Sequence, residues 1–145
     1  MIRTAQQWTK FYENLGFLFY SLTCCDRRVT PSEKAIIKDL VNRTWINLEP
    51  SLDEYGYDAA YQIEAVTDWL FEEKPSARIA FKRFVDFVEG HPGFIDHRMA
   101  NIIFSSANSI TAASARKNKS ELGYLYLLHG ILKKATKSDI SDLPS

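Results

Sequence analysis

The sequence is poor in residues that interrupt helices and in residues that cross-link a chain. It has six glycines and five prolines in 145 residues, too few for an all-β protein with many turns. Its two cysteines, Cys24 and Cys25, are adjacent, which is poor geometry for a structural disulfide, so we expect reduced thiols in a cytoplasmic protein. No apolar run is long enough to span a membrane, and the N-terminus lacks the apolar stretch of a signal peptide.

The charge balance excludes a further class of function. Lysine plus arginine and aspartate plus glutamate number 18 each, so the formal net charge is zero. Affinity for nucleic acid rests mainly on excess positive charge, and we therefore expect no nucleic-acid partner. The composition, with 46% hydrophobic and 25% charged residues, is typical of a single globular domain of residues 1–145. Its last residues, roughly ten of them, are polar and are predicted to form a flexible tail.

Helical periodicity dominates the rest of the sequence. Apolar residues recur at spacings of three and four, and no segment shows sustained alternation, so we predict an all-α bundle of about six helices. The first helix is apolar on more than one side and is predicted to lie at the centre. The second begins with Thr30, Pro31 and Glu33 as N-cap, first-turn proline and N3 acid, and carries Trp45 near its end. Four further helices are predicted from their inward-facing residues. These are Ala59, Ile63, Val66 and Leu70 in the third helix, and Ala77, Phe81, Phe84 and Val88 in the fourth. They are Met99, Ile102, Ile103, Ala107 and Ile110 in the fifth helix, and Leu122, Leu125, Leu128 and Leu132 in the sixth.

A partial internal repeat relates the two ends of the chain. Residues 22–33 (LTCCDRRVTPSE) and 110–121 (ITAASARKNKSE) share an apolar-threonine start, an arginine and a closing Ser-Glu pair. Each stretch joins two predicted helices, so helix pairs one–two and five–six are predicted to be related halves. The N3 acid is present in both copies, whereas Ser114 replaces Asp26 in the second.

Acidic residues concentrate in the middle of the chain, where residues 44–73 contain no lysine or arginine. Glu64, Asp68 and Glu72 step by four and form one ridge on the third helix, opposite its apolar stripe. Like charges at this spacing cost about 0.2–0.5 kcal/mol per pair. We interpret the ridge either as a solvated outer face or as a surface that binds a cation or a basic protein. A basic surface elsewhere in the fold is a third way to offset the repulsion.

Asp26 and Glu33 flank the first junction between helices. Two carboxylates at such a turn are able to hold a hard divalent cation through oxygen ligands. Glu33 also has a sufficient structural role in a capping box, and Asp26 is placed to accept from loop amides or to pair with Arg27 or Arg28. Both interpretations stay open. The sequence contains no motif of a phosphate loop, a nucleophile elbow or a zinc hydrolase, so we predict that the chain is not an enzyme.

At this junction the chain resembles the tellurite-resistance TerB-like family of small all-α domains. That family shows an apolar helix, then Asp-Gly, a β-branched residue, and a Glu that opens the next helix. Residues 26–33 (DRRVTPSE) follow this order, with Arg27 at the glycine position. The resemblance covers roughly residues 11–45 and, more faintly, 99–132. The family is associated with stress response and is proposed to bind divalent metal through acidic residues.

The resemblance implies a non-enzymatic, cytoplasmic TerB-like module with Asp26 and Glu33 as ligands of a divalent cation. Binding of a protein with a basic surface at Glu64, Asp68 and Glu72 is the other expected activity. The alternative is a protein-interaction or scaffold domain without metal, either monomeric or homodimeric through an aromatic surface. We expect no cofactor other than such a cation, and no membrane partner.

Overall fold

The computed structural model describes residues 3–23, 31–52, 57–113 and 119–137. Within these ranges the chain forms a compact bundle of six α-helices with no β-strand, which confirms the all-α prediction. The α-helices are α1 (Ala5–Thr23), α2 (Pro31–Arg43), α3 (Gln62–Glu73), α4 (Ala77–Gly90), α5 (His97–Ala113) and α6 (Lys119–Ala135). Two short 3-10 helices, Trp45–Asn47 and Ala59–Tyr61, lie between α2 and α3.

Helix α1 lies at the centre of the bundle, as its apolar surface predicts. It packs against α3, α4 and α5, and its buried aromatic and aliphatic residues are Phe11, Tyr12, Leu15, Leu18, Phe19, Tyr20 and Leu22. The close approach of α3 depends on Gly16. A Cβ at this position would lie 2.8 Å from Val66 Cγ1 and 3.2 Å from the carbonyl oxygen of Ile63. Contacts this short are repulsive, so the α1–α3 distance requires glycine.

An aromatic cluster holds the first half of α1 in place. The ring of Phe11 lies 6.0 Å from that of Trp45 and 5.2 Å from that of Phe94, measured between centroids. Trp45 is fully buried, and its Nε1 donates a hydrogen bond to Ser106 Oγ on α5 at 3.2 Å. The assignment of Trp45 to the second helix is wrong, because α2 ends at Arg43 and the chain then tightens into a 3-10 helix.

The ends of α2 and α3 follow local backbone chemistry. Helix α2 begins at Pro31, as predicted. Helix α3 ends before Lys74, whose φ of 54° is left-handed, and Pro75 then prevents its continuation. Asp58 caps the 3-10 helix that precedes α3 rather than α3 itself, because its Oδ1 accepts from the Ala60 amide at 2.9 Å.

One predicted core position of α6 is wrong. Leu125, Leu128 and Leu132 are buried, whereas Leu122 is 51% exposed. At 100° per residue, Leu122 is rotated by about 80° from the centre of the buried face of α6. A spacing of three from Leu125 therefore places Leu122 outside the buried face.

Both junctions of the predicted internal repeat lie outside the described residues. Residues 24–30, with the two cysteines, Asp26 and the Thr30 cap, belong to the first junction, and residues 114–118 to the second. The predictions of related halves and of a capping box at α2 therefore stay predictions. Among the helices that the structure describes, none combines the length and the hydropathy needed to cross a bilayer.

Candidate functional site

The predicted acidic ridge runs along α3 and changes its environment from one end to the other. Asp68 and Glu72 are exposed, whereas Glu64 is half-buried and faces α2. The apolar residues Ile63 and Leu70 are buried on the opposite side, against α1. The three acids therefore lie on one side of α3 as predicted, but only the second and third are open to a partner.

Glu64 belongs to a polar groove between α2 and α3. Lys34 and Lys38 of α2 line this groove together with Glu64, and Lys34 Nζ lies 5.1 Å from the centre of the Phe71 ring. Burial raises the pKa of the Glu64 carboxyl, the charge of Lys38 lowers it, and the charge of Asp68 raises it further. Its Oε1 is buried and accepts no hydrogen bond from the described residues. Lys38 thus offsets part of the repulsion along the ridge, which is the third possibility that the sequence left open.

A second groove, of about 560 Å³, lies on the other side of α3, between α1 and α4. Its apolar walls include Phe17, Val66 and Leu70. Two large side chains stand at its edges, Trp69 of α3 at 53% exposure and Ile79 of α4 at 55%. We use the term acidic–aromatic surface for this groove and the exposed acids of α3, a set made up of Trp69, Ile79, Asp68, Glu72 and Glu73. Of these, Glu73 lines the groove, and Asp68 lies nearest to α2, where it also lines the α2–α3 groove.

The charge of the acidic–aromatic surface is polarised. Helix α3 contributes acids and contains no lysine or arginine. On the α4 side Arg83 lines the groove, with its guanidinium carbon 4.8 Å from the centre of the Phe17 ring. Lys82 of α4 forms an ion pair with Asp86 at 2.9 Å. A basic partner is therefore attracted to the α3 edge and not to the α4 edge.

Sequence reasoning missed Trp69 and Ile79. The available clue was the position of Trp69, which falls outside the predicted stripe of Ile63, Val66 and Leu70 and next to the acids. A large aromatic residue on the polar side of an amphipathic helix is unusual for a solvated face. Ile79 carried no comparable clue, because its exposure depends on how α4 is rotated against α1 and α3.

Of the two predicted metal ligands, Asp26 and Glu33, the structure describes only Glu33. Glu33 lies in the first turn of α2 and is 2% exposed, and Asp26 lies outside the described residues. In the part of the chain that the structure describes, no group of three or more His, Cys, Asp or Glu residues is arranged to hold a metal ion. Metal binding by Asp26 and Glu33 thus stays a prediction.

A buried polar contact ties the α2–α3 connection to the core. The hydroxyl of Tyr12, which is fully buried, donates to Glu49 Oε2 at 2.6 Å, and Glu49 Oε1 accepts from the Ser51 amide at 2.9 Å. Burial, followed by the hydrogen bond and charge of Glu49, raises the pKa of the Tyr12 phenol far above its usual range, so the phenol stays protonated as a donor. Burial also raises the pKa of Asp58, the hydrogen bond from the Ala60 amide opposes this, and the charge of Glu49 adds to the increase.

This arrangement predicts a pH dependence of stability. A carboxyl group whose pKa is raised in the folded state stabilises the fold most below its unfolded pKa of about 3.9, and this contribution is lost as pH rises through the folded value. Asp58→Asn keeps an oxygen acceptor for the Ala60 amide but carries no charge. We therefore expect the stability of the variant, relative to wild type, to increase from about pH 4 to pH 7.

Urea unfolding at several pH values measures this difference directly. Glu89→Gln is the control for removing an acid, because Glu89 is exposed at the end of α4. A relative stability of Asp58→Asn that is flat or falls over this pH range contradicts the expectation.

A larger groove of about 740 Å³ lies at the opposite end of α4, beside the end of α6. Its walls are apolar, with Val88, Ile95 and Ile131, and its rim carries Glu89, His91, Lys134 and Lys137. Both α4 and α6 end at this groove, and the negative ends of the two helix dipoles together with Glu89 balance the two lysines. Because positive and negative charges balance at its rim, this groove has no preference for a cationic or an anionic ligand.

Comparison of the chain with protein-family models, with curated proteins and with solved structures found no match. The resemblance to TerB-like domains accordingly stays a prediction based on residues 26–33.

Proposed function

We propose that this chain is a non-enzymatic protein-interaction module that binds a basic, partly apolar protein surface at its acidic–aromatic surface. The observation that carries the proposal is Trp69, which is half-exposed at the edge of an apolar groove that Glu73 also lines, with Glu72 exposed on the same helix. Tryptophan is among the residues that contribute most to binding when a partner covers them, and apolar grooves between helices are common receptors for amphipathic helices.

The acids give the proposed interface its orientation and its specificity. Charged groups at the edge of an interface accelerate association and align the partners more than they add to affinity. Basic groups of the partner are expected over Asp68 and Glu72, with an apolar side chain in the groove beside Trp69. Glu64, the first acid of the predicted ridge, faces α2 and is left out of the direct contact.

The TerB-like resemblance forms part of this proposal at the level of fold and setting. A small all-α, cytoplasmic module in a stress-response context suits an interaction partner better than a catalyst. The divalent cation predicted at Asp26 and Glu33 is a separate activity, and the acidic–aromatic surface does not depend on it, because α2 and α4 lie on different sides of α3.

A synthetic amphipathic helical peptide of leucine and lysine tests the proposal. We expect it to bind wild type, and Trp69→Ala to weaken binding by at least about tenfold, as for other central aromatic anchors. Asp68→Asn/Glu72→Gln should reduce the association rate and the dependence of affinity on salt, because it removes the charges that steer the partner. Isothermal titration calorimetry gives the affinity, and the change in total tryptophan fluorescence in a stopped-flow instrument gives the rate.

Two controls separate this surface from general acidity. Glu89→Gln removes an exposed acid at the far end of α4 and should leave binding unchanged, and a peptide with glutamate in place of lysine should not bind. Equal binding by wild type and Trp69→Ala would rule out the acidic–aromatic surface as the receptor.

A further inference from the structure

Helix α6 presents an apolar face that no part of the described chain covers. Leu122 is 51% exposed, Tyr126 81% and Leu127 52%, whereas Leu125 and Leu128 are buried. An exposed group of large apolar side chains on one helix is typical of an interaction surface and not of a solvated one.

Two glycines lie between these apolar side chains. Gly123 and Gly130 are seven positions apart and fall between Tyr126 on one side of the helix and Leu127 on the other. Apart from the adjoining backbone of α6 itself, no atom lies within 4 Å of the place where a Cβ at either position would be. Packing inside the molecule thus does not require glycine here, although glycine is less stable than alanine in a helix interior. The two positions leave a shallow channel on the outside of α6.

The same face is basic at its C-terminal end. Lys133 follows Tyr126 along this side of α6, and residues 122–137 contain no acid. Lys134 and Lys137 line the groove beside α4. We use the term α6 outer face for Leu122, Tyr126, Leu127 and Lys133, with the glycine channel between them. This face combines aromatic and aliphatic side chains with lysine. The partner of the acidic–aromatic surface must offer the same combination.

We infer that the α6 outer face of one copy of this chain binds the acidic–aromatic surface of a second copy. This inference rests on the proposed function and names the partner of that site. The apolar groups of each surface cover those of the other: Trp69 lies against the glycine channel, and Tyr126 against the α3–α4 groove. Lys133 lies over Glu72, an exposed acid of α3.

The two surfaces belong to different parts of the molecule. Helix α3 packs on α1, whereas α6 packs on α5, so one molecule is able to offer both surfaces at once. A contact between two unlike surfaces is heterologous, and it extends from dimer to larger assemblies instead of closing at the dimer. Self-association that grows with concentration is the expected behaviour of the wild type.

A mixing experiment with two variants tests this arrangement. Trp69→Ala disables the acidic–aromatic surface and keeps the α6 outer face, whereas Tyr126→Ala does the reverse. Sedimentation velocity up to about 1 mM protein should show association of wild type that each variant alone loses by at least about tenfold. An equal mixture of the two variants should regain association, because one intact surface remains on each, and it should stop at a 1:1 dimer.

The other outcomes overturn the inference in distinguishable ways. If one variant alone associates like wild type, the contact is between like surfaces. If the mixture stays monomeric while wild type associates, the two surfaces do not bind each other. If wild type is monomeric throughout but binds the leucine-lysine peptide, the second copy is not the partner and the proposed function stands. If wild type associates but does not bind the peptide, and the mixture stays monomeric, both the inference and the proposed function fail.

Tyr57→Ala is the control for removing an exposed aromatic side chain, because Tyr57 precedes α3 and lies outside both surfaces. It should associate like wild type. Circular dichroism confirms that each variant is folded.

Discussion

Replacing Trp45 with alanine will lower the free energy of unfolding by about 3–5 kcal/mol, the usual cost of removing a large buried aromatic side chain. Trp45 is fully buried, contacts the rings of Phe11 and Phe19, and donates a hydrogen bond to Ser106. It connects the 3-10 helix after α2 to both α1 and α5, so no single neighbour is able to move in and fill the space. Because domains of this size are stable by only about 5–15 kcal/mol, the variant should unfold at much lower urea concentration.

Two milder variants separate packing from hydrogen bonding at this site. Trp45→Phe keeps most of the aromatic volume and leaves the buried Ser106 hydroxyl without its indole partner. Trp45→Phe/Ser106→Ala then removes that hydroxyl as well, and we expect it to recover part of the loss, because an unsatisfied buried polar group costs about 1–3 kcal/mol. Urea unfolding followed by far-ultraviolet circular dichroism measures all three. A loss below about 1 kcal/mol for Trp45→Ala would show that this 3-10 helix is not part of the cooperative core.

Gly16→Ala is expected to destabilise the protein by about 1–3 kcal/mol, although alanine is the better helix former. The added methyl group would lie 2.8 Å from Val66 Cγ1, 2.9 Å from Val66 Cβ and 3.2 Å from the Ile63 carbonyl oxygen. Valine has one strongly preferred rotamer in a helix and is unable to turn away, so α1 and α3 must separate. Val66 also lines the groove beside Trp69, and the same substitution should weaken binding of the leucine-lysine peptide.

Gly130→Ala is the matched control for stability. It makes the same change within a helix, but apart from the adjoining backbone of α6 no atom lies within 4 Å of the new methyl group. We expect it to stabilise the protein by about 0.5–1 kcal/mol, the difference in helix propensity. Thermal and urea unfolding of the two variants should therefore shift in opposite directions. A stabilising effect of Gly16→Ala would contradict the close contact between α1 and α3.

The features that could be predicted from sequence are those set by short stretches of chain. The periodicity of apolar residues predicts the helices, Pro31 marks the start of α2, and Lys74-Pro75 marks the end of α3. The central position of α1 was also predictable, because a helix that is apolar on several sides must be covered on several sides. The apolar spacing did not predict where α2 gives way to a 3-10 helix. It placed Trp45 in the second helix, although α2 ends at Arg43.

The candidate site was predictable only in part, for a physical reason. The acids of α3 were found because their spacing of four places them on one side of a single helix. Glu64 faces Lys34 and Lys38, whereas Glu72 stays exposed, because of the position at which α2 packs on α3. The spacing of residues within α3 does not predict that position. Ile79 lies beside Trp69 for a similar reason, because α4 is placed by its contacts with α1.

By itself, the sequence determined the helical class, the helix boundaries marked by proline and the concentration of acids between residues 44 and 73. These are properties of hydrogen bonding, side-chain period and charge within one segment. The tertiary structure alone decided which side chains remain uncovered: Trp69 and Ile79 at one groove, and Leu122, Tyr126 and Leu127 on α6. Exposure is a property of neighbouring elements, since a side chain is buried only when another helix packs over it. The proposed interfaces of this protein therefore follow from how its helices pack, because their amphipathic patterns alone assign Leu122 to the core.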